Sequence, residues 1–465
     1  MALRQWGELK FTSLDDMLQH STFKNFSTLI KEGSTEALSV PVFDEDTPLI
    51  PEYTTETGWH FYAHLNITDE LFEDVKARDR IAAIYDSYST AARRMLHDRS
   101  TFVKLLEHQG QMLHFHVDCD NSQIGINILR GLATLLASYV YEEVFAKRNS
   151  DPAVDDFAMA AQYGSSLIFS VPPATEEESA YSQISLGSCA NDPAKVVLGK
   201  GRPRPWHFAY CADPYNGFDK TVDCTPFIPG VRKSGVAMEN FSTTEKIAMD
   251  RAFAVPSAPA SNPYWKRGYV FRADLDKFTK HVAQAFCRNE TRTLAHDFIS
   301  FMKKVNQWQH EGGGKELNFA TSPWAGDCCT MVVFLQPPKT PGEALAAYYG
   351  NDYRISRMPE RLMSAWTKFV GENAPDEKFR KWSYGLSFGM VGFFDEIIND
   401  RGYRLLIGKP VHTSNVGVNL ENTESGDLVM HNDDIAKLDA DLQRTFTKTM
   451  GNGYRGQEEW KRYSI

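Results

Sequence analysis

The order of apolar and polar positions predicts strands and helices that occur twice along the chain in the same series. Short apolar runs or period-two alternation indicate strands, and apolar residues every three to four positions indicate helices. In the first half these patterns give a strand at 59–68, helices at 70–107, a turn at Gly110, strands at 111–117 and 123–129, a helix at 129–147, a strand ending at Gly164 and the segment 182–195.

The second half repeats this order with different residues. Its elements are a strand at 268–279, helices at 280–310, a Gly-rich turn at 310–314, a strand leading into Asp327, an apolar strand at 328–335, a helix at 342–373, a strand at 382–394 and the segment 404–418. His64 and Asp118 are 54 residues apart and Asp274 and Asp327 are 53 apart, which gives offsets of 210 (274 − 64) and 209 (327 − 118). A nearly constant offset of this size indicates duplicated domains.

Strand, helix, two strands, helix and strand is the order of ferredoxin-like βαββαβ domains. We therefore predict an α+β protein with two tandem ferredoxin-like domains, at 56–250 and 266–440. The other segments are predicted to be an N-terminal helical arm (1–55), a linker rich in Ala, Pro and Ser (251–265) and a polar C-terminal tail (441–465).

Composition and charge narrow the choice of partners. The 465 residues are 42% hydrophobic and 12% aromatic, which is typical of a globular chain. The 50 basic against 60 acidic residues give a net charge of −10, whereas a nucleic-acid partner would require a basic surface. The longest apolar stretch, at 128–141, contains Arg130 and is too short to cross a bilayer. We expect neither nucleic acid nor membrane as a partner.

Cysteine usage and the first residues indicate the compartment. The seven cysteines include no CxxC pair, which argues against a zinc site and favours a reducing environment. Arg4, Glu8 and Lys10 stand where a secretory signal would have an apolar run. We expect a cytoplasmic protein.

Three short segments resemble motifs of the class III nucleotidyl cyclases, the adenylate/guanylate cyclase catalytic domains. The segment 273–279 (ADLDKFT) resembles a strand ending in an aspartate that is followed by a Phe-Thr pair. Gly326-Asp327 resembles the hairpin with the second aspartate, and 187–195 (GSCANDPAK) resembles the segment in which Asn precedes Arg by four positions. The similarity extends from about residue 57 to residue 420.

The second copy retains only part of the residue set that this family uses. It has Asp274 and Asp327 at the two metal positions. It has His412 and Val416 where the family has the Asn and the Arg.

The first copy retains the other part. Asn191 and Lys195 stand at the later positions, His64 replaces the first aspartate, and Asp118 is expected at the second. Catalytic sites of this family form between two domains. The resemblance therefore implies an intramolecular pseudo-heterodimer with one complete site, for which a monomer would suffice.

The resemblance also implies how these residues would cyclise a nucleoside triphosphate and release pyrophosphate. Asp274, Asp327 and the carbonyl of Leu275 would bind two divalent ions, Mg²⁺ or Mn²⁺. The substrate's triphosphate would lie on the amides of Lys277, Phe278 and Thr279, which open a helix.

Two further residues would act on the ribose and on the transition state. By the resemblance, Asn191 would orient the ribose and Lys195 would neutralise charge on the phosphoryl group. Lysine supplies a point charge in place of the forked contact that arginine gives.

Two other positions would contact the base. In the family, one residue lies four positions before the hairpin aspartate and another seven before the Asn. Counted from Asp118 and Asn191, these are His114 and Ile184, with Ser185 adjacent. Adenylate cyclases have Lys and Asp there, and guanylate cyclases Glu and Cys. An apolar residue beside a neutral His favours a smaller base, hence a pyrimidine, with UTP ahead of CTP.

The stretch ISLGSCANDPAK (184–195) is also similar to the bacterial anti-phage pyrimidine cyclases of Pycsar systems. That similarity implies anti-phage signalling through a cyclic nucleotide such as cUMP and a downstream effector protein.

Ordinary structural explanations exist for each residue alone, and other functions stay open. Asp274 can cap a helix and Asp327 can occupy a tight turn, although their joint spacing favours a metal site. The alternatives are a catalytically silent cyclase-like module that binds a nucleotide, and an adenylate cyclase. A palm-type polymerase has a similar sheet and paired carboxylates but would need a basic surface for its template.

Overall fold

The structure of this protein is a computed structural model that describes most of the two predicted domains. The described ranges are 4–6, 9–11, 53–67, 78–97, 102–146, 154–170, 183–199, 202–213, 220–225, 264–315, 324–334, 353–398, 401–418, 425–446, 448–450 and 460–464, with a few single residues between them. The helical pattern predicted in the N-terminal arm and the linker up to residue 263 lie outside the described residues.

The chain divides into two compact units, and each includes a short segment from the other half of the sequence. The first unit comprises Met1–Ile168, Gly187–Ala260 and Ile397–Asp400. The second comprises Phe169–Leu186, Ser261–Glu396 and Arg401–Ile465.

The strands of the first half form a seven-stranded sheet and a separate hairpin. The hairpin pairs β1 (Arg4–Trp6) with β2 (Leu9–Phe11). The sheet contains β3 (Tyr53–Ile67), β4 (Val103–His108), β5 (Met112–Val117), β6 (Val154–Ser170), β7 (Gln183–Leu186), β8 (His207–Cys211) and β9 (Lys220–Asp223). Its order is β4-β5-β3-β6-β8-β9, and β7 pairs with β6.

Three helices accompany this sheet: α1 (Arg78–Leu96), α2 (Gln123–Val140) and α3 (Ser188–Leu198). Helix α2 begins where the hydroxyl of Ser122 accepts a hydrogen bond from the amide of Gly125 (3.3 Å). A single π-helical turn, Tyr141–Ala146, continues it. The span Gln123–Ala146 is long and apolar enough to pass as a membrane helix by length and composition, but 72% of its apolar 18-residue window is buried inside the protein. It is therefore a core helix of this unit.

The second half forms an eight-stranded sheet. It contains β10 (Tyr264–Leu275), β11 (Phe319–Ala320), β12 (Cys328–Phe334), β13 (Trp382–Ile398), β14 (Arg401–Ile407), β15 (Asp427–His431), β16 (Lys448–Met450) and β17 (Trp460–Ser464). The order is β11-β12-β10-β13-β15-β17-β16, and β14 pairs with β13.

The helices of this half are α4 (Phe278–Arg288), α5 (Thr291–His310), α6 (Met358–Asn373) and α7 (Lys409–Val418). Short helical turns lie at Gly312–Lys315, Tyr353–Ser356, Asn432–Ile435 and Ala440–Thr445, and a 3₁₀ turn lies at Glu377–Phe379.

The two sheets have the same strand order, which confirms the predicted α+β fold with two ferredoxin-like domains. The sequence β4-β5-β3-β6-β8-β9 in one corresponds strand by strand to β11-β12-β10-β13-β15-β17 in the other. The parallel pairs β6/β8 and β13/β15 are also equivalent. Strands β3 to β6 with their helices follow the βαββαβ arrangement in the first sheet, and strands β10 to β13 follow it in the second.

Three details of the predicted elements are wrong. The apolar run 123–129 is not a strand but the first two turns of α2, because Ser122 caps a helix there. Strand β4 lies within the range predicted as helices. Residues 441–465 are not only a tail, since β16 and β17 extend the second sheet and β17 pairs with β15. Backbone pairing with distant strands, which a local pattern does not reveal, decides the last two.

We expect Gly385→Ala to destabilise the second unit. Gly385 lies on β13 beneath α7, and an added Cβ would come within 2.2 Å of the carbonyl oxygen of Ser414. Because this neighbour is backbone, relief requires the helix to move, and overpacking of this kind costs about 1–3 kcal/mol. Thermal unfolding followed by circular dichroism measures the loss.

The matched control is Gly371→Ala in α6. Apart from the neighbouring residues and the helix's own backbone, no atom of the described residues lies within 4 Å of a Cβ added there, and alanine favours a helix by up to about 1 kcal/mol. This variant should be as stable as the parent chain or more stable. Equal unfolding temperatures for the two variants would contradict the close packing of β13 against α7.

Candidate active site

Asp274 and Asp327 lie at one corner of the second sheet. Asp274 stands near the end of β10 and pairs with Cys328, the first residue of β12. Asp327 directly precedes Cys328 in a tight turn, in which Ala325 and Cys328 exchange two backbone hydrogen bonds of 2.9 Å. Gly326 has φ +59° in this turn, which glycine adopts without strain.

The charges of both carboxylates act on one buried thiol at this corner. The pKa of the Cys328 thiol is raised by burial first, and also by the negative charges of Asp274 and Asp327, while Arg272 opposes them. Both aspartates therefore lie close enough to Cys328 for their charges to act on its thiol. Asp327 itself is 7% exposed.

Two carboxylates suit a divalent ion that completes its shell elsewhere. Mg²⁺ and Mn²⁺ prefer oxygen ligands and are commonly held by one or two carboxylates together with substrate phosphates. In the described part of the chain, no group of three or more His, Cys, Asp or Glu side chains is spaced to hold a metal ion. The residues present therefore fit an ion shared with a ligand rather than one enclosed by protein.

The backbone after Asp274 turns sharply into α4. Lys277 has φ +57°, and the amides of Lys280 and His281 donate to its carbonyl at 2.9 and 3.3 Å. The first amides of a helix lack partners within the helix, so the amides at 277–279 are suited to an anion. Phe278 anchors this turn, since its ring is buried and packs on Phe298 with centroids 5.1 Å apart.

Asp276 has a structural role in the same turn. Its carboxylate accepts a hydrogen bond of 2.5 Å from the hydroxyl of Ser383, and its amide donates to the carbonyl of Lys381 (2.9 Å). These bonds hold the end of β10 against β13 and explain why a third acidic residue stands in the motif.

Asn191 and Lys195 lie on α3, one turn apart on the same face. The helix begins after Gly187, which has φ +155°, and the amide of Asn191 donates to the Gly187 carbonyl (3.1 Å). Asn191 is partly buried and Lys195 is exposed. Ile184 and Ser185 precede this helix on β7, and both are buried.

Helix α7 begins in the same way in the second half. Gly408 has φ +128°, and the amide of His412 donates to its carbonyl (3.3 Å). The match between Gly187 and Gly408 gives an offset of 221 (408 − 187), which sets His412 at the place of Asn191 and Val416 at that of Lys195.

The prediction that Asp118 is the hairpin aspartate of the first copy is wrong. His64 pairs with Met112 across β3 and β5, as Asp274 pairs with Cys328. The residue before Met112 is Gln111, and Gly110 (φ +68°) precedes it in the turn. The equivalent of Asp327 is therefore Gln111.

Asp118 follows the far end of β5, and its surroundings confirm this position. Burial first raises the pKa of Asp118, Lys104 opposes this rise and Glu56 adds to it. Glu56 lies near the start of β3 and Lys104 near the start of β4, whereas His64 lies near the other end of β3. The sequence carried a usable signal, because Gly110-Gln111 aligns directly with Gly326-Asp327, whereas the count of residues between distant aspartates does not reveal the turn.

The same register changes the candidate base contact. His114 was chosen by counting four residues back from Asp118, and it lies in the middle of β5. Four residues before Gln111 is Glu107, at the end region of β4. Glu107 is buried and accepts a hydrogen bond of 2.7 Å from the amide nitrogen Nε2 of Gln109.

A guanidinium lies at the first metal position of the first copy. Nη1 of Arg202 donates to Nδ1 of His64 (2.8 Å), and Nη2 donates to the carboxylate of Asp156. The first unit thus has His64 and Gln111 at the places of Asp274 and Asp327, and a cation of its own chain contacts His64.

A group of buried imidazoles occupies the same face of β3 and β5. His60 pairs with His116 across the two strands, and Nδ1 of His60 lies 2.9 Å from Nε2 of His114. Burial is the largest cause that lowers the pKa of His60, and it lowers the pKa of His116 to about 4 although Glu56 opposes this shift. Burial therefore favours the neutral form of the His60 and His116 rings in the folded protein at pH 7.

The comparisons with known proteins identify the fold. No family model matches the sequence, and no curated protein reaches a significant match. A solved structure described as a class III adenylyl cyclase-like ATP-binding protein from Pseudomonas aeruginosa is similar over 91% of this chain and 95% of its own, with a TM-score of 0.58 and 14% identity. Both halves of the chain are therefore included in one class III cyclase-like fold.

Two other solved structures match about one half of the chain. They are the guanylyl cyclase domain of the RhoGC fusion protein from Blastocladiella emersonii (14% identity, 44% of this chain, 98% of that chain, TM-score 0.28) and the adenylyl cyclase CyaB from P. aeruginosa (16%, 44%, 97%, TM-score 0.26).

We expect the protein to lose stability as the pH falls below 6.5, the ordinary pKa of histidine. His60 and His116 are neutral in the folded state but become protonated in the unfolded chain, which therefore binds more protons. Each such histidine removes up to about 1.4 kcal/mol per pH unit between its unfolded and folded pKa values. Thermal unfolding at pH 7.5, 6.5, 5.5 and 4.5 measures the effect.

The variant His116→Gln separates this effect from general acid unfolding. It cannot be protonated, so its unfolding temperature should fall less steeply between pH 6.5 and 4.5. A parent chain whose unfolding temperature stays constant or rises over this range would refute the expectation.

Proposed function

We propose that this chain is a nucleotidyl cyclase that converts a ribonucleoside triphosphate into a 3′,5′-cyclic mononucleotide and pyrophosphate at a single site. The second unit would supply Asp274 and Asp327, and the first unit Asn191 and Lys195. The observation that carries the proposal is the complementary loss between the copies. After the register correction, neither copy duplicates any of these four functional positions of the other.

Each residue has a defined task in this proposal. When bound, two divalent ions, Mg²⁺ or Mn²⁺, supply positive charge to the attacking ribose oxygen and to the phosphates. Asp274, Asp327 and the carbonyl of Leu275 would hold them. The amides of 277–279, including Lys277, Phe278 and Thr279, would bind the triphosphate.

The first unit would act on the ribose and the α-phosphoryl group. Asn191 would fix the ribose so that its 3′-oxygen faces the α-phosphorus, and Lys195 would stabilise charge that develops as pyrophosphate leaves. Lys195 is exposed, so it can reach a bound ligand without displacing packed neighbours.

We propose a pyrimidine base, with UTP ahead of CTP. Ile184 remains one of the two residues for this choice, and Glu107 takes the place of His114 as the other. Guanylate cyclases have Glu at this first position, so GTP is the competing substrate, and Ile184 in place of their Cys is the residue that favours a smaller base. A carboxylate accepts hydrogen bonds only and can pair with the N3–H of uracil or the 4-amino group of cytosine. Ile184 offers no polar partner to the further groups of a purine, and Ser185 beside it supplies a small hydroxyl.

A catalytically silent nucleotide-binding module is the second candidate. The solved structure that is similar over 91% of the chain is described as a cyclase-like ATP-binding protein. Lys195 in place of an arginine is consistent with binding that does not lead to turnover. An adenylate cyclase stays a third option for the same site.

The cellular setting is part of the proposal. A cytoplasmic monomer would contain all parts of the site, without a second subunit. The similarity of 184–195 to Pycsar cyclases supports an anti-phage role in which the cyclic nucleotide activates an effector protein.

Asp327→Asn should abolish cyclic nucleotide formation, because the amide cannot hold a divalent ion as a carboxylate does. Purified protein with Mn²⁺ is incubated separately with ATP, GTP, CTP and UTP, and cyclic product and pyrophosphate are quantified. We expect UTP to give the most product.

Asp118→Asn is the matched control, since it makes the same chemical change in the first sheet, after the end of β5 that is far from His64. It should keep most of the activity. Equal loss in both variants would contradict the assignment of a single site, and no product from any of the four nucleotides with the parent chain would favour the silent module.

Substitution of Lys195 tests transition-state stabilisation separately from binding. Lys195→Met should lower kcat on the order of 10²-fold with little change in KM, because the charge is needed only when pyrophosphate leaves. Lys195→Arg should keep or raise kcat through its second hydrogen bond. Steady-state kinetics measure both constants, and a rise in KM at constant kcat for Lys195→Met would assign the residue to ground-state binding.

A further inference from the structure

A cavity on the outer side of α4 carries a set of basic groups that the proposed reaction does not use. Its volume is about 490 Å³, and its wall includes His281, Gln284 and Arg288 of α4, Thr293 of α5 and Lys378 of the neighbouring 3₁₀ turn. The floor is apolar, formed by the buried side chains of Ala285 and Leu294. All of these residues belong to the second unit.

The three α4 residues form one stripe. Positions 281, 284 and 288 are separated by three and four residues, so they lie on the same face of the helix. The stripe begins one turn after the amides at 277–279, which suit an anion. A ligand that leaves those amides along α4 would next meet His281 and then Arg288.

The lining of the cavity carries one cation without an ion pair to a described residue, one paired lysine and one carboxylate. Arg288 is exposed and forms no ion pair with any described residue. Lys378 contacts Asp376 (2.6 Å), so these two charges offset each other. Glu290 is the one carboxylate among the residues that line the cavity.

The pKa of His281 is lowered in part by the positive charges of this region. Burial first lowers its pKa, Lys378 lowers it next, and Lys280 and Lys381 lower it further, while Asp376 opposes them. Three lysines against one aspartate leave an excess of positive charge near the ring. A bound anion would reverse this effect and favour the protonated imidazole, which could then donate a hydrogen bond.

We propose that this cavity binds a phosphate chain, and that its occupant is the pyrophosphate produced in the proposed reaction. The binding itself depends only on the residues of the second unit, whereas the source of the ligand rests on the proposed function. Arg288 would supply a forked contact to two phosphate oxygens, and Lys378 and the hydroxyl of Thr293 would supply single donors.

Calorimetric titration with inorganic pyrophosphate, without divalent ions and with EDTA present, tests the site apart from catalysis. The parent chain should bind, and Arg288→Glu should weaken binding at least about tenfold because a charge-assisted contact is replaced by repulsion. Lys303→Glu is the matched control. It makes the same charge change nine residues along α5 from Leu294, the nearest lining residue of that helix, or about 14 Å away, and should leave binding unchanged.

Two further arms locate the site and the source of the ligand. Asp327→Asn should bind pyrophosphate like the parent chain, and binding should tighten from pH 8 to pH 6 unless His281 is replaced by Gln. A non-hydrolysable nucleoside triphosphate that shows the same Arg288 dependence would support the site and identify the substrate's triphosphate as its source.

The proposal is overturned if the parent chain does not bind pyrophosphate, if Lys303→Glu weakens binding as much as Arg288→Glu, or if Asp327→Asn abolishes it. Absence of cyclic product together with Arg288-dependent binding would reject the proposed function but support the anion site.

Discussion

The antiparallel pairing of β10 with β12 is the interaction on which the candidate site depends. It sets Asp274 opposite Cys328 and therefore beside Asp327, although 53 residues separate the two aspartates (327 − 274). A shift of one residue in this pairing would turn Asp274 to the other face of the sheet. Gly326, at φ +59°, makes the turn that presents the second carboxylate, and the bonds of Asp276 to Ser383 and Lys381 fix the end of the strand. This pairing thereby brings the two acidic residues of the proposed metal site to one corner of the sheet.

The duplicated sheet has kept its geometry and changed its chemistry. The first unit has the same pairing at His64 and Met112 and the same left-handed glycine at 110, yet both acidic positions are gone. Arg202 contacts His64 and Asp156 there, so a cation of the same chain stands beside the first of these positions. In the second unit the opposite change has occurred at α7, where His412 and Val416 follow a helix start that matches α3. Backbone geometry tolerates such exchanges because the strand pairing and the glycine turns, rather than the functional side chains, hold the corners together.

Helix α4 links the two proposed anion sites of the second unit. Its first amides follow the strand that carries Asp274, and its outer face carries His281 and Arg288. Phe278 anchors the start of the helix in the core through Phe298, so the polar face is presented without loss of packing. The division of one helix into an apolar inner face and a basic outer face allows a phosphate chain to be bound at two successive places.

The sequence by itself determined the duplicated α+β order, the acidic pair in the second half and the helix that begins after Gly187. Local signals carry these features: period-two alternation, apolar helical spacing and glycines where a turn needs positive φ. The tertiary structure decided which glycine turn sets the register, and with it that Gln111 rather than Asp118 corresponds to Asp327 and that Glu107 replaces His114 at the counted position. It also decided that 123–129 is helical and that β16 and β17 join the second sheet. Register and pairing between distant strands depend on the hydrogen bonds that close each turn. Residue counts between motifs do not contain that information, because the connecting helices and loops of the two copies differ in length.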